Sequence, residues 1–247
     1  MAELEGKVVV VTGGSRGLGR EMVLAYAERG ASVVIASRKL DACEALADEV
    51  AREHGVKALP VACNVSSWSD CDALIERVYA ELGRVDILVN NAGLSPLYAS
   101  LDQIEEGLWD KVQAINLKGP FRLSAVIGQR MVDGEGGAIL NISSVASIRP
   151  DAISLPYAAA KAGLNALTEG FAQAYAPKVR VNAILCGPFL TDIAKAWPDE
   201  ILEFVEGELA LKRAGRPDEV VGAALYLTTD ASSFTTGALL RVDGGTR

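Results

Sequence analysis

The sequence predicts an α/β domain in which a doubly wound parallel sheet of about seven strands carries helices on both faces. Three observations predict it. Short apolar runs without polar alternation recur along the chain, longer amphipathic stretches separate them, and no linker, repeat or low-complexity tract breaks the rhythm. An unalternating run of roughly four to six residues suits a strand buried on both faces, because a strand with one wet face would alternate. Regular strand-helix-strand order then requires right-handed crossovers, which lay helices on both sides of one sheet.

Taken in order, Val8–Val11, Ser32–Ala36, Ala58–Ala62, Ile87–Val89, Ala138–Ile142 and Val179–Ile184 read as buried strands. Helical patterns fill the gaps over Gly17–Arg29, Leu40–Glu53, Ser69–Leu82, Gly107–Met131 and Leu155–Ala176. After Ile184 the rhythm breaks into a longer helix-prone segment, about 191–214, where Asp199, Glu200, Glu203, Glu206 and Glu208 interleave with apolar residues. An amphipathic substrate lid with a solvated outer face is expected there. A helix begins near Pro217, whose φ suits an early helical position, and Ala238–Val242 is the closing strand. Residues 1–247 are expected to form one domain.

The chain has 247 residues, 50% of them hydrophobic, and can build a core without metal or disulfide staples. Its 24 Lys and Arg against 32 Asp and Glu leave a net charge of −8, which removes any general pull toward nucleic acid or anionic membrane. No apolar stretch approaches the ~20 residues of a bilayer span. The acidic start, Met1-Ala2-Glu3-Leu4-Glu5-Gly6-Lys7, is unlike a secretory signal, and a cytoplasmic protein is expected. Cys43, Cys63, Cys71 and Cys186 form no CxxC pair, and His54 is the single histidine. No zinc site is expected from such a set, and Ser-His-Asp or Cys-His hydrolysis has no histidine to spare. Cys186 reads as a small turn residue rather than a redox-active thiol, which would need a low pKa and exposure. Trp68, Trp109 and Trp197 read as core or lid anchors, Trp197 with a place near substrate as the sharper alternative.

The first strand runs into Gly13-Gly14-Ser15-Arg16-Gly17-Leu18-Gly19 and then a helix. Glycines serve where backbone N–H groups must approach a pyrophosphate, and a helix start adds unpaired donors and partial positive charge. The position, in the first βα unit, is that of a dinucleotide cradle of Rossmann type. The second strand ends Ser37-Arg38-Lys39, with no carboxylate before Asp41. A carboxylate there would take the adenosine ribose 2′-OH, whereas a guanidinium suits a 2′-phosphate. Arg38, with Ser37 beside it and Arg16 facing from the turn, therefore favours NADP(H), with NAD(H) as the alternative.

Tyr157 and Lys161 are one turn apart on one helix face. A nearby ammonium can draw a phenol down from its ordinary pKa of about 10, to ~7–9, where proton transfer is useful. Ser144 follows the fifth strand, and Asn116 lies in the long preceding helix.

Together, Thr12-Gly13-x-x-x-Gly17-x-Gly19, Asn90-Asn91-Ala92-Gly93, Asn116, Ser144, Tyr157-x-x-x-Lys161, Arg180-Val181-Asn182 and Asp243-Gly244-Gly245 resemble the short-chain dehydrogenase/reductase family over essentially the whole chain. The resemblance implies that Tyr157 is the acid–base at a carbonyl or alcohol oxygen and that Ser144 hydrogen-bonds the same oxygen. It further implies that Lys161 holds the nicotinamide ribose and keeps the phenol acidic, while Asn116 anchors a water leading from Lys161 to solvent. By the same resemblance, Asn64 and Val65 meet adenine, Asn91, Ala92 and Gly93 line the adenosine ribose, and Gly187, Phe189 and Thr191 meet the nicotinamide side. Two departures stand out. Cys186-Gly187 replaces the family's Pro-Gly, which predicts a less rigid turn, and Asn64 replaces a common aspartate, where an amide can accept or donate.

The resemblance implies an NADP(H)-dependent oxidoreductase of a small carbonyl or secondary alcohol, with 3-oxoacyl thioesters among the candidates, and a homo-oligomer, dimer or tetramer, formed by pairing the two long helices. Leu94–Tyr98, Ser147–Pro150, Ser154-Leu155 and the 191–214 segment would line the substrate, and their apolar bias favours a partly hydrophobic one. Arg149 is a candidate anion anchor there, and Lys212, Arg213 and Arg216 are a candidate docking patch for an acidic carrier protein. The competing readings are a cofactor-binding sensor or scaffold and a non-redox member, an epimerase or dehydratase.

Overall fold

The computed structural model describes residues 3–191, 203, 205 and 207–246. Seven parallel strands lie in the order β3-β2-β1-β4-β5-β6-β7. They are β1 Val8–Thr12, β2 Ser32–Ser37, β3 Ala58–Ala62, β4 Ile87–Asn90, β5 Gly137–Ser144, β6 Val179–Cys186 and β7 Leu239–Val242. The helices are α1 Gly17–Glu28, α2 Leu40–His54, α3 Trp68–Leu82, α4 Glu106–Gln113, α5 Gly119–Asp133, α6 Leu155–Tyr175 and α7 Val221–Thr228.

The unalternating valine runs are explained by the two layers. Val9, Val11, Val33 and Ile35 point into a core shared with Met22, Tyr26, Leu46 and Leu227, from α1, α2 and α7. Val8, Val10 and Val34 point the other way, against Leu74, Leu123 and Ile127, from α3 and α5. Successive strand residues therefore meet different cores, and each must be apolar. A buried side chain of this size contributes ~1.5–3 kcal/mol when fully removed from water.

The stretch expected as one helix over Gly107–Met131 is helical throughout but changes its winding once. Between α4 and α5 lies a π-helical turn over Ala114–Lys118. Such a turn inserts an extra residue and releases backbone groups from the regular ladder. Here Asn116 Nδ2 takes up the Val112 carbonyl at 2.9 Å, and the same carboxamide binds the loop after β4, Nδ2 donating to the Leu94 carbonyl at 2.8 Å and Oδ1 accepting from the Leu94 N–H at 3.1 Å. At the chain's far end, Pro217–Val220 forms a 3₁₀ turn leading into α7. Arg180 ties β6 to this region by donating to the Leu227 and Thr229 carbonyls, each at 2.9 Å.

Of the expected lid, Trp197, Asp199, Glu200 and Glu206 lie outside the described residues. Val205, Leu209 and Ala214 form a small buried cluster of their own. Trp68 and Trp109 are surface residues, 42% and 44% exposed, a correction to their reading as core anchors. Trp68 packs on Phe121, with the Arg122 guanidinium 4.8 Å above its ring, because the α3–α5 surface offers an aromatic and a cation to cover an indole. Among the described residues, no helix is long and apolar enough to cross a membrane, and no group of three or more His, Cys, Asp or Glu is placed to hold a metal ion.

Candidate active site

The chain winds outward from β1 through β2 to β3, then returns to β4 on the other side of β1. At such a switch point the loops after the two inner strands part, and a crevice opens at the carboxyl ends. The Thr12 hydroxyl organises both lips. It donates to the Val89 carbonyl and accepts from the N–H groups of Asn91 and Ala92, at 3.0 and 3.1 Å. The Asn91 carboxamide returns across the gap, donating to the Thr12 and Gly13 carbonyls at 2.9 and 3.1 Å. Asn91 is thus fastened into the turn, and its backbone and Ala92 face the crevice lip.

The glycine turn fits a dinucleotide pyrophosphate on two counts. A Cβ at Gly19 would lie 2.2 Å from the Gly13 carbonyl oxygen, and Gly17, at φ +52, sits where a side chain would strain the backbone. The α1 start has neither a side-chain cap nor an acidic residue in its first turn, so its N–H donors stand open to an anion. Leu18 leaves this turn inward, packed against the α1-side core. The Ser15 and Ser37 hydroxyls are hydrogen-bonded at 3.0 Å, which joins the turn to the end of β2. Arg16, the N-cap of α1, and Arg38, just past β2, are exposed on that shared rim.

After β3, Asn64 accepts two bonds from Ser66 on Oδ1, from its N–H at 3.3 Å and its hydroxyl at 2.9 Å. The local turn therefore takes up the amide's acceptor, leaving Nδ2 as the group an aspartate could not have supplied. Val65 is buried against Gly119, where a Cβ would meet the Val65 carbonyl oxygen at 2.2 Å. On the opposite side, the Gly187 N–H donates to the Val242 carbonyl at 3.0 Å, and a Cβ there would meet Asp243 Cα at 2.6 Å. Both contacts tie the turn to the end of β7. Phe189 is buried and bridges to Gly215, and Thr191 reaches back over the glycine turn, its Cγ2 lying 3.3 Å from where a Gly17 Cβ would be.

Asn116, Ser144, Tyr157 and Lys161 come together from three segments, the π-helical turn, the end of β5 and the first turns of α6. The Ser144 hydroxyl, at the end of β5, stands near enough to the Tyr157 phenol to act on its acidity, and accepts from the Ala146 N–H at 3.2 Å. Lys161, 3% exposed, donates from Nζ to the Ile142 carbonyl at 2.7 Å and lies 5.6 Å from the centre of the Tyr157 ring. A Cβ on Gly93 would stand 3.3 Å from Asn116 Oδ1 and 3.9 Å from Lys161 Nζ, so the two polar groups flank the bare Gly93 backbone.

The electrostatics correct one expectation. Burial pushes the Tyr157 phenol up to about 12, with the Ser144 hydrogen bond pulling the other way. Burial also brings the Lys161 ammonium down to about 8. The ammonium is aimed at a backbone carbonyl rather than at the phenol, and desolvation is the largest influence on both groups. Cys186 is buried beside them, its thiol pushed up to about 12, which removes the low pKa and the exposure a redox thiol needs.

Other candidates are differently placed. Arg149 donates to the Thr246 carbonyl at 3.2 Å, so the C-terminal backbone uses one arm of the expected anion anchor. Arg213 makes a two-pronged pair with Glu219, both contacts at 2.7 Å, and Arg216 pairs with Asp218. Asn165 was missed by sequence reasoning. Its Oδ1 accepts from the Ser143 hydroxyl at 2.7 Å and its Nδ2 donates to Ser147 Oγ at 2.8 Å, fixing the backbone on both sides of Ser144. The available signal was spacing, since Tyr157, Lys161 and Asn165 recur at four-residue intervals on one helix face.

A parallel sheet with a glycine-rich turn at its switch point and a Ser, Tyr and Lys cluster beside it is an arrangement suited to a dinucleotide-dependent enzyme, and known proteins agree. A family model described as Enoyl-(Acyl carrier protein) reductase matches residues 13–247. The chain is 35% identical over 243 residues to 3-oxoacyl-[acyl-carrier-protein] reductase FabG of Thermotoga maritima, covering 98% of each. It is 34% identical over 241 residues to the NAD-dependent glycerol dehydrogenase of Listeria innocua, covering 97% of this chain and 93% of that one. Among solved structures, the NADPH-dependent 3-quinuclidinone reductase of Rhodotorula rubra superposes with a TM-score of 0.93 at 29% identity, covering 99% of this chain and 92% of the other. The chain belongs to the short-chain dehydrogenase/reductase family. It is accordingly an NAD(P)-dependent oxidoreductase of the alcohol–carbonyl type.

Proposed function

We propose that the protein reduces the carbonyl of a small, partly hydrophobic substrate, or oxidises the matching secondary alcohol, with NADPH preferred. The convergence of Ser144, Tyr157, Lys161 and Asn116 on one crevice carries this reading. When bound, the dinucleotide supplies or accepts the hydride. Tyr157 gives its phenolic proton to the carbonyl oxygen, and Ser144 donates a hydrogen bond to that same oxygen, stabilising the charge that develops there. Lys161 holds the nicotinamide ribose and offsets the phenolate left behind, and Asn116 positions a water beside Gly93 through which the proton is replaced. Gly13–Gly19 cradle the pyrophosphate, Ser37, Arg38 and Arg16 take the 2′-phosphate, Asn64 and Val65 meet adenine, Asn91–Gly93 face the ribose, and Gly187, Phe189 and Thr191 meet the nicotinamide side.

Apolar residues support the substrate class. Leu97, Ile148, Ile153 and Leu190 are exposed on loops following β4, β5 and β6, and Leu155 is exposed at the start of α6, where a carbonyl substrate would enter. Free small substrates are favoured over those on an acidic carrier protein, because the expected docking cations Arg213 and Arg216 are paired with carboxylates.

Steady-state assay of NADPH and NADH against ketones, keto-sugars and 3-oxoacyl thioesters, across pH, tests the reading. NADPH is expected to be oxidised with an apolar ketone class. The phenol, raised to about 12, stays protonated throughout, while the Lys161 ammonium is charged below about pH 8 and neutral above. For reduction, kcat/KM is therefore expected to be level below that pH and to fall above it. A profile level well past pH 8 would remove the lysine charge from the mechanism. Binding without turnover of any carbonyl or alcohol would favour the sensor reading, and product formed without cofactor consumption the non-redox one.

The same reading makes the protein a homo-oligomer. A groove lined by Lys111, Ala114, Leu117, Phe121, Gly163 and Leu167 runs between the helices α4, α5 and α6, next to exposed Trp68. Pairing these helices with a second copy would cover it. Sedimentation velocity at micromolar concentration should show a dimer or tetramer, and a monomer would overturn the pairing.

A further inference from the structure

We propose that Tyr98 is a positioning residue for the acid–base pair: its hydroxyl caps the helix carrying Tyr157 and Lys161, and fastens the β4 loop over the crevice beside Tyr157. This inference rests on the reading of Tyr157 as the acid–base.

Helix α6 starts without a cap of its own. Ser154, at the N-cap, makes no side-chain bond to the helix, and its hydroxyl donates instead to Asp151 Oδ1 at 2.7 Å. Pro156 has no N–H to satisfy. The Leu155 N–H is left as an orphan donor of the first turn, and it points to the Tyr98 phenol oxygen at 2.9 Å. The same hydroxyl donates its proton to the Ala152 carbonyl at 2.6 Å. One hydroxyl has a single donor and two acceptor sites, so both bonds fit it at once and fix its direction.

The loop holding Tyr98 has few other attachments. Leu97 is 64% exposed and Leu101 50% exposed, so neither anchors it. At its start, the Leu94 backbone is bound to the Asn116 carboxamide. The loop is therefore tied at one end to Asn116 and at the other to the helix start two residues before Tyr157. Between these ties, Tyr98 forms a narrow crevice with Leu108, Val112, Pro156 and Tyr157 itself. Loss of the phenol oxygen would release the loop and the first turn together, shifting Tyr157 against substrate while leaving the glycine turn untouched.

Tyr98→Phe keeps the ring and deletes both bonds. Amide exchange at Leu155 should accelerate roughly tenfold as the cap is lost. NADPH affinity should stay within about twofold, reporting an intact fold, while kcat falls and KM for the carbonyl rises, each roughly tenfold at most. Tyr157→Phe is assayed in parallel. If Tyr157→Phe is inactive and Tyr98→Phe leaves kcat and KM unchanged, the inference falls and the acid–base reading stands. Unchanged Leu155 exchange likewise sinks the inference alone. Turnover retained in Tyr157→Phe would overturn both.

Discussion

Tyr157→Phe should lower kcat by about 10²–10⁴-fold, the usual share of a positioned acid–base group. The substitution removes one oxygen from a half-buried ring. Ser144 keeps its bond from the Ala146 N–H, and Lys161 keeps the Ile142 carbonyl, so the neighbours lose a partner without losing their places. The glycine turn, proposed to cradle the pyrophosphate, is held by Thr12 and Asn91 and makes no bond to the phenol among the described residues. NADPH affinity should therefore stay within about twofold, because binding and proton transfer use separate groups. Pre-steady-state turnover with saturating NADPH, beside a fluorescence titration of the cofactor, measures both halves. A variant retaining turnover near the wild-type rate would assign the proton to another group and dismantle the mechanism.

Arg38→Asp should invert cofactor preference. The guanidinium lies just past β2, where the Ser15–Ser37 bond joins the strand end to the glycine turn. A charge-assisted hydrogen bond is worth ~1.5–3 kcal/mol, and replacing the cation by a carboxylate adds repulsion of the 2′-phosphate. The NADPH-to-NADH ratio in kcat/KM should fall about 10²-fold or more. NADH should gain as well as NADPH lose, since a carboxylate at the strand end accepts from the ribose 2′-OH. Equal use of both dinucleotides before and after the change would show that Arg38 does not read the phosphate. The known relatives divide on this point, one named as NADPH-dependent and another as NAD-dependent.

Most of the architecture was legible because the signals are local. A valine run such as Val8–Val11 has no solvated face to alternate with, so it announces a strand between two layers. Tyr157 and Lys161 share a helix face by spacing alone. The π-helical turn at Ala114–Lys118 was not legible, because Asn116 within it bonds to Leu94 on a separate loop. Tyr98 lay within a segment read only as apolar lining, since its partners, Ala152 and Leu155, are brought to it by the fold.

What the amino-acid order determines by itself is the element sequence and the family, and it nominates a set of candidate side chains, each written in periodicity, glycine placement and short spacings. The tertiary structure decides how those side chains behave. Proximity along a helix suggested that Lys161 would acidify Tyr157; burial of both, with the ammonium turned to the Ile142 carbonyl, raises the phenol and lowers the lysine instead. Arg213 and Arg216 look like a cationic patch in one dimension and are paired with Glu219 and Asp218 in three. The reason is common to both cases. Charge and acidity depend on solvent access and on the nearest partner, and those are properties of packing that no residue carries on its own.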